Sequence, residues 1–409
     1  MDLSRIELGP IIRAALRNKI GAILIALQIA FTMTVVVNSW YMISERLALV
    51  ERPSGMVEDE LFHVVSVGIG EQFNTQSAIE EDLDLLRRTP GVHNAITTNA
   101  IPLSGSGWSM GLRVEPGEDT QSYGTAIYMV DEQAIDTMGV ELVAGRNFAA
   151  SDVQWRTPNS SRWPDLIIVT ETLAASMFPD LAPEAVIGQT VYIENTKPQQ
   201  IIGVVKKLHA PWVQWNNIEH VTLVPQKLAV GSSRYLVRTL PGQRDTMMPE
   251  IEARLADANA QRIVMNMRSM GETREQSYRL DEGLSKLLIA VMTVLLFITA
   301  VGVLGLASFS VRRRTKQIGT RRALGATQSD VLRYFLVENA MITGAGVVLG
   351  AVMTVGLNIV LVDAMSFPKI DWVGVPLGML GLLLIGQLAV YGPARHACRV
   401  SPAVATRTV

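Results

Sequence analysis

Few residues in this chain have the types and spacing that chemistry requires. Residues 104–108 (SGSGW) set a serine between small residues, as a nucleophile elbow would. However, the stretch lacks the G-x-S-x-G frame, Leu103 preceding Ser104, and no obvious base lies nearby, so a loop is expected. His63, His93, His209, His220 and His396 show no metal-ligand spacing. Cys398, the one cysteine, excludes a disulfide framework and a multi-thiolate zinc site. No G-x-x-x-x-G-K-[ST] phosphate loop is present. An enzyme is therefore not expected, and neither cofactor nor metal is assigned to the chain itself. What remains is a basic run, 312–330 (RRRTKQIGTRRALGATQSD), in which Ile318, Arg322 and Gly325 recur at i, i+4 and i+7. That spacing is expected to gather apolar and small groups on one helix face, where glycines admit a partner backbone and Thr327 caps the next helix.

The elements around this run are set by charge. The composition is 48% hydrophobic and only 18% charged, against about 25% charge in ordinary globular domains. No Asp, Glu, Lys or Arg occurs in 20–44, 287–311, 339–362 or 372–394, each longer than 20 residues. About 20 apolar residues cross ~30 Å of hydrocarbon as a helix, so four transmembrane α-helices are expected. Segments 1–19, 312–338 and 395–409 carry 14 Lys/Arg against 4 Asp/Glu, whereas 45–286 carries 21 against 32. Short basic loops stay in the cytoplasm. Both termini and the 312–338 loop are therefore expected inside, and 45–286 and the short loop 363–371 outside. Trp40 and Trp372 fall at outer span ends, as interfacial indoles do.

Segment 45–286 reads as an α/β domain. Strand-like 61–69, helix-like 74–88 and strand-like 92–100 are echoed by 235–240, 247–258 and 262–267, which predicts a split βαβ lobe. Between them, roughly 113–228 is expected to form an inserted β-rich lobe with strands near 125–130, 166–170, 190–193 and 200–205. Polar, helix-compatible 42–50 and 271–286 adjoin the first two spans and are expected to extend them as stalks. Gly346 with Gly350, and Gly374 with Gly378, have the small-residue spacing that lets helices pack closely in lipid.

Residues 316–326 (KQIGTRRALGA) resemble the signature that follows the second span in FtsX-like/MacB-like ABC-transporter permeases. Residues 15–19 (ALRNK), an amphipathic lead-in, 128–148 (YMVDEQAIDTMGVELVAGRNF) and 393–407 (PARHACRVSPAVATR) are similar to other stretches of that family. Gln317 and Val404 stand where the family has glutamates. The resemblance implies four spans, a periplasmic domain of a porter-like and an inserted lobe, and two permease chains per complex, alike or different. It also implies that a cytoplasmic ABC ATPase, carrying ATP and Mg, docks on Arg314, Lys316, Ile318, Gly319, Arg321, Arg322, Ala323, Leu324, Gly325 and Ala326. The 19-residue lead cannot hold a nucleotide-binding domain, so the ATPase is expected as a separate chain in a bacterial inner membrane. A periplasmic adaptor and an outer-membrane channel are left open as partners, and nucleic acid is not expected. Three functions stay in view: a mechanical exporter of a peptide, antibiotic or lipid-like substrate, a regulator of a periplasmic partner such as a cell-wall hydrolase, and a ligand sensor. The absence of charge inside the spans disfavours an ion-driven carrier.

Overall fold

The computed structural model describes residues 19–117, 119–157, 160, 162–194, 197–365 and 372–398. Residues 1–18 of the expected lead-in, 366–371 of the expected outer loop 363–371 and the tail from 399 lie outside them. The chain forms two compact units, one of helices and one of mixed α/β structure.

The chain begins with α1 (Lys19–Glu51) and enters the α/β unit through β1 (Leu61–Gly68), α2 (Thr75–Arg88) and β2 (Val92–Thr98). Asn74 caps α2 by accepting the Ser77 N–H at 3.2 Å. Next come β3 (Trp108–Arg113), β4 (Ser122–Val130), α3 (Ala134–Met138), β5 (Leu142–Gly145), β6 (Gln154–Arg156), β7 (Leu166–Thr170), α4 (Glu171–Met177), α5 (Pro183–Val186), β8 (Thr190–Ile193), β9 (Pro198–Val205) and β10 (Val221–Leu228). The unit closes with β11 (Ser232–Thr239), α6 (Arg244–Ala258) and β12 (Arg262–Ser269). The helical unit then resumes through α7 (Met270–Arg313), α8 (Thr315–Ala323), α9 (Gln328–Met365) and α10 (Gly374–Cys398).

Strand order β12-β1-β11-β2, antiparallel throughout, interleaves the two β-α-β runs into one split sheet. Alternate residues of its strands, Phe62, Val64, Tyr235 and Val237, are buried together with Ile79, Leu83 and Leu86 of α2 and Ile251 and Leu255 of α6. Inside that core Asp82 pairs with Arg262 and accepts the Tyr235 hydroxyl at 2.6 Å, so its charges are matched rather than merely enclosed.

The inserted lobe is an eight-stranded sheet, and pairing of β4 with β10 closes its path into a ring. The sheet begins at Trp108 rather than at 113, and β3, β5, β6 and β10 were not expected as strands. β5 and β6 are too short to show a pattern, and Pro225 within β10 reads as a strand breaker. Several polar contacts tie the two lobes together. Asn99 donates to Ile127 O (3.0 Å) and accepts from Met129 N (2.7 Å), and Arg87 meets Asp131 at 2.6 Å.

Among the described residues four helices are long and apolar enough to cross a membrane, with mean hydropathies of 2.4, 2.8, 2.3 and 1.7 along the chain. The 44 residues of α7 make a rod of about 66 Å, roughly twice a hydrocarbon core, so the expected stalk 271–286 is part of one unbroken helix. Hydroxyls within the spans bond carbonyls one turn back, Thr34 to Ala30 (2.8 Å) and Thr354 to Gly350 (2.7 Å). Across helices, Thr32 meets Thr299 at 2.7 Å and Gln28 donates to Ile298 O at 3.1 Å. Arg46 of α1 pairs with Asp281 of α7.

Gly346 and Gly350 face α1. A Cβ at Gly346 would lie 2.7 Å from Ala26 O, and one at Gly350 2.9 Å from the Met33 Cβ, so only hydrogen fits there. Gly378 abuts Val37 in the same way, but Gly374 is the first residue of α10 and a Cβ there would meet nothing. Gly374 is therefore not a packing residue: the four-residue spacing is right, but the helix starts at it.

His209 is fully buried, its backbone N–H donating to Ser54 O at 3.1 Å, and His63 on β1 bonds the Thr273 hydroxyl at 2.9 Å. Burial and the nearby Arg52 push the His209 imidazole down to about 4, and burial and Arg268 do the same to His63. Both stay neutral while an unfolded histidine charges near pH 6.5. Their stabilisation is complete above that pH and is lost as pH falls from about 6.5 to about 4, at about 1.4 kcal/mol per pH unit each. Thermal unfolding followed from pH 7 to 4.5 is expected to show this loss, and His209→Gln is expected to flatten it; an unchanged slope in that variant contradicts the assignment.

Candidate functional site

The candidate site is the short basic helix α8 and the two joints that hold it. α7 ends at Arg313, Arg314 caps α8, and the helix stops at Leu324. The stop is a glycine motif. Gly325 sits at φ 101°, its N–H bonds Arg322 O (3.2 Å) and the Ala326 N–H bonds Arg321 O (3.1 Å), the two links of a Schellman turn. α9 starts at once, because the Thr327 side chain accepts the Asp330 N–H (3.2 Å) while Asp330 accepts the Thr327 N–H (3.0 Å). The sequence reading that put Gly325 on the helix face is thus corrected: it ends the helix, since a left-handed residue cannot continue one.

The structure divides the expected docking residues into two sets. Ile318 and Gly319 turn inward, Ile318 into the same cluster as Val331 and Phe335 of α9. Arg314 reaches Glu338 on α9 at 2.8 Å, and Arg322 donates to Cys398 O at the end of α10 (2.8 Å). The Arg321 guanidinium lies 5.1 Å over the Tyr334 ring. These residues hold α8 to the bundle. Lys316, Gln317, Thr320, Arg321, Ala323, Leu324 and Gly325 are exposed, and Leu324, at 84%, projects an apolar side chain into solvent. Ala326 is half-buried. A groove of about 90 Å³ between α8 and α9 is lined by Arg314, Gln317, Ile318, Arg321, Ala326 and Tyr334, among others. The surface offers positive charge, one apolar knob and a shallow groove, which suits binding a protein rather than bond-making.

Tyr334 and Glu338 escaped the sequence reading. The one signal was that Glu338 borders an uncharged window, where a carboxylate needs a reason. In the serine loop the Ser104 hydroxyl donates to Ile101 O at 2.7 Å within its own turn. Among the described residues no cluster of His, Cys, Asp and Glu could hold a metal ion.

Because Gly325 occupies a conformation that side chains resist, Gly325→Ala is expected to destabilise the α8–α9 turn by about 1–2 kcal/mol. Amide exchange over 318–327 should quicken accordingly, with Gly325→Asn milder. Unchanged exchange in the alanine variant contradicts the turn assignment.

Comparison with known proteins agrees with this architecture. A family model described as MacB-like periplasmic core domain matches residues 20–268, and one described as FtsX-like permease C-terminal matches 289–402. The macrolide export ATP-binding/permease protein MacB of Azoarcus sp. (strain BH72) is 27% identical over 264 residues, covering 63% of this chain and 39% of that protein. The pyoverdine export ATP-binding/permease protein PvdT of Pseudomonas savastanoi pv. phaseolicola is 28% identical over 236 residues, 54% of this chain and 34% of that one. The chain therefore spans well under half the length of these relatives. The solved periplasmic region of MacB from Actinobacillus actinomycetemcomitans aligns with a TM-score of 0.34 and 17% identity, over 53% of this chain and 93% of that one. With both family models matched in order along most of its length, the chain belongs to the FtsX-like, MacB-like family of ABC-transporter permeases.

Proposed function

We propose that this chain is the permease subunit of an ATP-driven export complex in a bacterial inner membrane. In this reading both termini and α8 are cytoplasmic, and the α/β unit is periplasmic. A partner ABC ATPase binds ATP and Mg and docks on the exposed face of α8, with Leu324 as its apolar anchor. A second permease chain completes the complex. The observation that carries the proposal is covalent and geometric: β12 runs directly into α7, which is unbroken for 44 residues and meets α8 through the single residue Arg314. A shift of α8 therefore reaches β12 through one non-helical residue and a single unbroken helix. The cargo proposed is an amphiphilic organic molecule, because relatives are named for export of macrolides and of pyoverdine.

An anchoring apolar side chain, unlike a rim charge, contributes most when water is excluded from it. Leu324→Glu is therefore expected to lower co-purification of the ATPase by about tenfold or more, while Lys316→Ala changes it little. Full retention of the ATPase by the Leu324→Glu chain would remove α8 as the docking surface.

A further inference from the structure

Arg314 touches three helices at once. Its backbone N–H bonds Ser310 O (3.2 Å) and Val311 O (3.1 Å) in the last turn of α7, and its carbonyl accepts the Ile318 N–H (2.9 Å) in the first turn of α8. Its guanidinium leaves both for α9, where Nη1 lies 2.8 and 3.0 Å from the two carboxylate oxygens of Glu338 and donates to the Tyr334 hydroxyl at 3.2 Å. Both side chains are largely covered, at 18% and 11% exposure.

We propose that Arg314 and Glu338 form a latch that makes α8 move as one body with α9, so that displacement of α8 reaches α9 as well as α7. The joints on either side of α8 are short and lie outside regular helix. One is a single non-helical residue (φ −106°, ψ 10°), and the other is a turn through Gly325. Ile318 contributes apolar contact and the Arg321 guanidinium lies over the Tyr334 ring, contacts that resist separation but permit sliding. The ion pair resists both, because a charge-assisted contact is directional and a buried carboxylate left without its cation is costly. Arg314 and Glu338 are thus positioning residues for transmission: Arg314 borders the α8–α9 groove, but its guanidinium is engaged by Glu338. This inference rests on the docking reading above and adds a second route, through α9, for the same movement.

The test uses the full chain in lipid nanodiscs with its ATPase, carrying nitroxides at Thr320→Cys and Arg333→Cys in a Cys398→Ser background. The parental chain is expected to give one narrow distance peak, and Glu338→Gln to lose it. Permease-dependent ATP turnover should fall by roughly three- to thirty-fold in Glu338→Gln, while ATPase co-purification is unchanged. Exchanging the charges, Arg314→Glu with Glu338→Arg, should restore both peak and turnover, which a simple loss of folding would not allow. A narrow peak with parental turnover in Glu338→Gln overturns the latch, and so does loss of turnover that only tracks loss of bound ATPase. If the parental chain retains no ATPase, the docking reading fails, and the spin-label peak alone still decides whether the latch exists.

Discussion

Hydrocarbon offers a peptide backbone no hydrogen-bond partner but itself, so whatever crosses it must be helical. The rest of this structure follows from that constraint. The four spans can be uncharged because each backbone group is paired within its own helix. Their few polar side chains follow the same rule, as Thr34 and Thr354 bond carbonyls a turn back and Thr32 meets Thr299 across the α1–α7 contact. With no hydrophobic gain available between helices in lipid, close packing holds them, and Gly346 and Gly350 let α9 approach α1 to backbone contact.

Charge is consequently pushed to the span ends, where it is put to use in pairs. Arg46 and Asp281 fasten α1 to α7 at one end, and Arg314 and Glu338 fasten the α7–α8 joint to α9 at the other. A covered ion pair contributes little net stability relative to apolar packing, but it strongly disfavours states that separate its partners. That property matters less for holding a fold than for fixing which elements move together. The α/β unit uses the same device inside an apolar core, where Asp82 pairs with Arg262 and accepts the Tyr235 hydroxyl.

Much of this was legible in the sequence because lipid imposes a coarse, unmistakable pattern. The uncharged windows lie inside α1, α7 and α9 and, but for two residues, α10, and polar 271–286 reads as helix because nothing in it breaks one. Strands 166–170 and 190–193 were legible to the residue, being bounded by turn-forming sequence. What escaped depends on partners distant in the chain. β10 is a strand despite Pro225 because it pairs with β4, nearly a hundred residues earlier. Arg314 and Arg322 look like docking cations in sequence, but Glu338 and the Cys398 carbonyl turn them inward. Gly325 fitted a helical spacing although its backbone ends the helix, because periodicity carries no information about the sign of φ. Leu324, by contrast, stays outward, and no spacing rule would have singled it out from Ala323.

The central claim is that α7 works as a rod, and a rod transmits only while unbroken. Gly283 lies on its exposed side with nothing within 4 Å of a Cβ there, so a Gly-Gly-Ser-Gly insert after it interrupts the helix and little else. Transport measured in cells with this insert, beside ATPase co-purification, tests the claim most directly. The account predicts that the ATPase stays bound and export is lost. Export at the parental rate through a chain whose stalk has been made flexible would contradict it.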